Sequence, residues 1–129
     1  MPAREIEPFV STFMVAEADG RLVAVGGLEI RDDTAVLRSV AVDDSMRGTG
    51  VGRGLARELI DLAARASVAD IYLFTGDAHG FWQRMGFAEI TLEDWRETAR
   101  QSWQWKYVSE NLEWAQAMGM HTMWKSASA

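Results

Sequence analysis

The chain contains no cysteine, only two prolines and two tyrosines, and no apolar run near the roughly 18 residues that a membrane span requires. Without cysteine there is no disulfide framework, no thiolate metal site and no cysteine nucleophile. The prolines stand at positions 2 and 8. No linker-like stretch, internal repeat or low-complexity segment follows them. Positive charge is also short, with 13 Lys and Arg against 19 Asp and Glu for a net charge of −6. That balance argues against nucleic acid or an anionic membrane as a partner, because either needs a net basic face. It leaves room for an anionic ligand held locally by one basic turn. The opening Met1-Pro2-Ala3-Arg4-Glu5-Ile6-Glu7 is charged and lacks the apolar centre of a leader, so a cytoplasmic location is expected.

What is present is the balance of one globular domain spanning residues 1–129, with 48% hydrophobic and 25% charged residues. Phe13 to Ala18 is a short apolar run ending at the hairpin signal Asp19-Gly20. Leu22 to Ile30 reads as the next strand, in which Gly26-Gly27 marks a bulge or a close backbone approach. After the turn Arg31-Asp32-Asp33, Thr34 to Val42 completes an antiparallel meander. The period then changes. Val51, Leu55, Leu59, Leu62 and Ala63 fall on one helical face, predicting a helix that fades near Ser67. Asp70–Thr75 reads as a strand, Ala78–Met85 as a short helix stopped by Gly86, and Phe87–Leu92 as a strand. Residues 93–118 read as mainly helical and His121–Lys125 as a closing strand. The fold class is α/β (α+β), a mixed and mostly antiparallel sheet flanked by helices.

Between the third strand and the first helix stands Arg47-Gly48-Thr49-Gly50-Val51-Gly52-Arg53. Glycines let backbone amides converge on a ligand, and the following helix adds unsatisfied N–H groups and a positive dipole end. Such a turn suits phosphate, with Arg47 and Arg53 adding charge at its two ends. The spacing is neither the dinucleotide fingerprint nor a Walker motif. The same three glycines would equally serve a plain tight turn.

Three blocks taken together carry a resemblance. Leu37-Arg38-Ser39-Val40-Ala41-Val42, then Arg47-x-x-Gly50-x-Gly52, then Phe81-Trp82-Gln83-Arg84-Met85-Gly86-Phe87 are similar to the core pattern of the GNAT acetyltransferases, in the same order. The likeness runs from Phe13 to about Ile90, with Met123-Trp124-Lys125 as a matching last strand. It implies acetyl-coenzyme A as cosubstrate, with no metal. Backbone groups of Val40, Ala41 and Val42 would pair with the pantetheine arm. Amides of Gly48, Thr49, Gly50, Val51 and Gly52, helped by Arg47 and Arg53, would hold the pyrophosphate. Ala78, Phe81 and Trp82 would flank the lower arm and thioester, with Phe81 and Phe87 mainly in the core.

With no cysteine the expected route is direct transfer: an amine loses a proton, attacks the thioester carbonyl and expels a thiolate. The resemblance implies that a backbone amide near Val40 receives the oxyanion. The tyrosine that the family often uses as acid is replaced by Trp82, whose indole donates a hydrogen bond but is no acid near neutral pH. Val36 stands where a glutamate is common, so Glu29 in Gly26-Gly27-Leu28-Glu29 is the candidate base, with a solvated outward residue as the plain alternative. His79 offers a near-neutral pKa close to the expected coenzyme arm, although a surface histidine is the simpler reading. His121 is read as structural or as lining the acceptor cleft. Two histidines with no carboxylate at a supporting spacing predict no metal site.

The family's usual first strand and helix pair form one wall of the acceptor site, and only about twelve residues precede the first clear strand here. A reduced N-terminal helical region is therefore expected. Trp95, Trp103, Trp105, Tyr107, Trp114 and Met118 crowd the opposite end. Trp103, Tyr107, Trp114 and Met118 fall near one helical face, and that stripe either packs on the sheet or replaces the wall, directly or across a homodimer interface. The resemblance leans towards amino-acid and arsenic-resistance-type N-acetyltransferases, hence a small-molecule amine acceptor. A non-catalytic acetyl-CoA-binding sensor or interaction subunit, and a protein or peptide N-acetyltransferase, are the alternatives.

Overall fold

The computed structural model describes residues 10–127, with the side chains of Val10, Ser11, Ser39 and Val40 left aside. The expected reduced N-terminal helical region falls on residues before Val10, outside the described part. The meander forms as the sequence predicts: β1 (Val10–Ala18), β2 (Arg21–Arg31) and β3 (Thr34–Val42). Asp19 and Gly20 both have positive φ (53° and 74°), the two-residue turn whose twist matches antiparallel strands. Asp32, also at 53°, serves the second turn. β1 starts earlier than the apolar run suggests because Val10, Ser11 and Thr12 pair with Ile30, Glu29 and Leu28.

A crossover through α1 (Val51–Arg65) leads to β4 (Asp70–Thr75). Then follow α2 (His79–Arg84), β5 (Ala88–Ile90), two single 3₁₀ turns, α3 (Trp103–Glu110), α4 (Leu112–Ala117) and β6 (His121–Ser126). Among the described residues the strand order is β1-β2-β3-β4-β6-β5, and only the β3–β4 pair is parallel. The stretch read as mainly helical is thus shorter helices and turns, broken at Asn111, whose φ of −134° is not helical. The predicted Phe87–Leu92 strand contracts to three residues.

Alternation divides the core in two. Ala24 and Leu28 of β2, Ala35 and Leu37 of β3, Ile71 and Leu73 of β4 and Met123 of β6 meet the Leu55-Ala56-Leu59-Ala63 stripe of α1. Each fully buried leucine there contributes about 1.5–3 kcal/mol. On the other face Val36, Tyr72, Trp95 and Ala99 form a smaller core. Trp95 stacks on Tyr72 (4.6 Å) and Phe74 (4.8 Å) and donates its indole N–H to Thr122 Oγ1 at 2.7 Å. Arg96 fastens the same segment through its amide to the Tyr72 phenol oxygen and its guanidinium to Asp70 and Asp33. Among the described residues no helix is long and apolar enough to cross a membrane.

Candidate functional site

The sheet opens at its centre. β3 and β4 pair only over Thr34–Val36 and Asp70–Tyr72, then diverge while Leu37–Val42 and Leu73–Thr75 continue. The cause lies on the neighbouring strand pair, where register runs Val25↔Ala41 and then Gly27↔Arg38. Gly26 thus faces two residues of β3, and the extra residue bends β3 away from β4. Ala41 and Val42 pair with β2 on one side and leave their other edge unpaired with β4. This is the edge to which the resemblance assigns an extended pantetheine arm.

The glycine-rich turn lies where β3 ends. A 3₁₀ turn (Asp44–Met46) leads into it, capped by the Asp43 carboxylate accepting from the Ser45 amide. The Thr49 amide and hydroxyl both donate to Met46 O. Gly50 is the N-cap of α1 with φ 90°, a left-handed conformation, and supplies no side-chain cap. α1 also has no acidic residue in its first turn. Its first amides therefore await an acceptor, and a fifteen-residue dipole points the same way. Arg47 and Arg53 are exposed beside them. Arg47 holds only the exposed Asp44, at 2.9 Å, a pairing weak enough in water to yield to a polyanion. Gly52 is tight: a Cβ there would lie 2.9 Å from Val42 Cγ2. The turn fits a pyrophosphate by its uncapped amides and charge.

Glu29 is not the solvated strand residue of the plain reading. It is 8% exposed, and its Oε2 accepts from Arg38 Nη1 at 2.5 Å across β2 and β3. Arg38 is held by the close approach at Gly27, where a Cβ would meet the Phe13 ring at 2.7 Å and the Arg38 stem at 3.2 Å. The pair has spare capacity, since Glu29 Oε1 and Arg38 Nε are buried without hydrogen-bond partners. Arg38 lies two residues beyond Val36, the last residue of β3 paired with β4. Sequence reading missed Arg38, although its standing as the one charged residue of β3 is the signal that could have found it.

Trp82 is 5% exposed and packs edge-on against Phe81 and Phe87 within the α1-side core. Burial takes the indole away from solvent and makes Trp82 a packing residue of this core. Phe87 is buried, while Ala78 and Phe81 are half-buried at the rim of the same core. The Ala78 amide donates to Thr75 Oγ1, so α2 begins directly off the end of β4.

His79 and His121 meet. Their rings stack at 4.1 Å, with His79 Nε2 3.1 Å from Glu89 Oε1 and His121 Nδ1 2.8 Å from Glu89 Oε2. The hydrogen bond to His121 holds the Glu89 carboxyl below its ordinary pKa. The expectation that the histidines lack a supporting carboxylate is corrected: β5–β6 pairing delivers one from a position that sequence spacing does not suggest. Trp103, Tyr107 and Trp114 also cluster, but in solvent, with Trp103 62% exposed. Tight packing of that stripe on the sheet is corrected too; Trp95, Ala99 and Trp105 do the covering.

Comparisons with known proteins agree with this geometry. Residues 3–87 match the acetyltransferase (GNAT) family. An amino-acid acetyltransferase of Mycobacterium tuberculosis is 33% identical over 85 residues, 63% of this chain and 48% of that protein. An N-acetylaspartate synthetase of Danio rerio is 30% identical over 91 residues, 66% of this chain and 32% of its own length. A Mycobacterium tuberculosis crystal structure in complex with CoA superimposes with a TM-score of 0.68 at 28% identity, covering 88% of this chain and 75% of that one. The chain spans at most about half the length of the curated relatives it matches. By the family match over most of its length, the chain belongs to the GNAT acetyltransferase family.

Proposed function

We propose that the chain transfers an acetyl group from acetyl-CoA directly to the amine of an amino acid. The observation that carries the first half is the uncapped N-terminus of α1 standing at the open β3–β4 wedge, which offers a polyanion site beside a free strand edge. The relatives named as an amino-acid acetyltransferase and an N-acetylaspartate synthetase favour an amino-acid acceptor. So do the unsatisfied valences of Arg38 and Glu29, because a zwitterion brings one carboxylate and one ammonium to such a pair.

In this reading Arg38 binds the acceptor carboxylate and Glu29 takes a proton from the ammonium. The freed nitrogen attacks the thioester carbon, a β3 amide near Val40 receives the oxyanion, and the C–S bond breaks to release CoA thiolate as the nitrogen gives up its second proton to water. The thiolate leaves without a protein acid, as a thiol pKa of roughly 8.5 permits. A homodimer joined through Trp103, Tyr107 and Trp114 belongs to the same proposal, supported by their exposure together with Leu112 and Met118.

The test is steady-state acetyl transfer over a panel of amino acids and their decarboxylated amines. Turnover confined to the amino acids, a raised KM in Arg38→Gln and a lowered kcat in Glu29→Gln are expected. CoA binding with no turnover of any amine would replace this reading with a non-catalytic coenzyme-binding module.

A further inference from the structure

Beyond the end of β4, where His121 pairs with Thr75, three elements bring their polar side chains to one point. His79 opens α2, Glu89 is the middle residue of β5, and His121 opens β6. One donor atom from each of the three residues lies within 4.8 Å of the other two. His121 is satisfied by Glu89 Oε2 at 2.8 Å. His79 Nε2 is buried 3.1 Å from Glu89 Oε1 and meets no hydrogen-bond partner of good geometry among the described residues. A buried imidazole nitrogen aimed into a cluster of lone pairs is the complement of a cation.

We infer that His79, Glu89 and His121 form a binding site for a divalent transition-metal ion, zinc foremost. Two imidazoles and one carboxylate suit zinc and its late first-row neighbours and are poor for magnesium or calcium, which prefer oxygen ligands alone. Donors around a tetrahedral zinc at 2.0–2.1 Å stand roughly 3.3 Å apart. The observed 3.1 and 2.8 Å are therefore near the required spacing before any movement. The stacked rings must splay so that each lone pair meets the ion, and half-exposed side chains have room to do so. Three protein ligands leave at least one coordination position open to water or another ligand.

The site would brace the part of the fold least able to brace itself. α2 has six residues and β5 three, each too short to hold its shape alone. An ion joining both to β6 would cross-link α2, which follows directly from β4 at the wedge, to the far edge of the sheet. The inference stands independently of the acetyl-transfer reading.

The experiment is calorimetric titration of tag-free, EDTA-treated full chain with zinc and with cobalt(II), followed by thermal melts. One zinc per chain at micromolar affinity or better is expected, with visible cobalt bands of low coordination number and a melting temperature raised by about 5 °C at saturation. His121→Ala and Glu89→Gln should each weaken binding about tenfold or more, while Glu97→Gln, an exposed carboxylate elsewhere, should not. Glu89→Gln preserves size, so a folding defect in the alanine variant leaves the test intact. No heat and no bands, or binding indifferent to both cluster variants (an adventitious ion only), would overturn the site.

Discussion

Gly52 and Gly54 lie two residues apart on α1, and the structure predicts opposite fates for the same substitution. Nothing lies within 4 Å of a Cβ at Gly54, which is exposed within the helix. Gly54→Ala should stabilise the fold by about 0.5–1 kcal/mol, the helical preference of alanine over glycine. A Cβ at Gly52 meets Val42 Cγ2 at 2.9 Å, and ordinary contact is 3.4–4 Å. The first turn of α1 and the end of β3 must therefore part by several tenths of an ångström. Overpacking of this kind costs about 1–3 kcal/mol, so the propensity gain is cancelled and Gly52→Ala comes out destabilised by about 1 kcal/mol. The larger effect is on binding, because the two elements that part are those proposed to hold the pyrophosphate and the arm. A hydrogen bond from a backbone amide to an anion is worth about 1.5–3 kcal/mol, and misaligning one should weaken CoA binding about tenfold. Urea denaturation and calorimetric CoA titration of both variants decide the matter. Unchanged affinity in a folded Gly52→Ala chain would refute the placement of the coenzyme.

Trp95→Ala should cost about 3–5 kcal/mol in urea unfolding, since it removes a stacked, hydrogen-bonded core indole from the Tyr72 and Phe74 rings. Burial raises the Tyr72 phenol above its usual pKa, outweighing the Arg96 amide hydrogen bond. The folded chain thus holds that proton more tightly than the unfolded one, so this contribution is full below about pH 10 and is lost as pH rises through the folded value. Melting temperature should fall across that window, less steeply in Tyr72→Phe. If Trp103, Tyr107 and Trp114 join two copies, Trp103→Ser with Trp114→Ser should turn a dimer into a monomer by light scattering; a monomeric natural chain removes that part of the proposal.

The features written in local chemistry were legible. Asp19-Gly20 and Asp32 turn the meander because their backbones accept positive φ, and Gly26-Gly27 supplies both the register shift and the close approach read from it. The apolar stripe of α1 predicted its packing face down to Ala63. What stayed hidden depends on strand pairing. Glu89 reaches His121 only because β6 inserts between β4 and β5, an order that no local pattern encodes. Trp103 and Trp114 share a helical face only if the helix is continuous, and the break at Asn111 ends that phase. Glu29 read as a free carboxylate because its partner sits nine residues on, across a strand boundary.

The most direct test of the coenzyme site is calorimetric titration of acetyl-CoA into the natural chain, Gly50→Glu and Gly119→Glu. Both glycines have positive φ and open space around a Cβ, so the two variants bear similar backbone strain and the same added charge. Only Gly50 caps α1. Micromolar binding by the natural chain and Gly119→Glu, abolished in Gly50→Glu, is the predicted result. Equal binding by all three, or none by the natural chain, would contradict it.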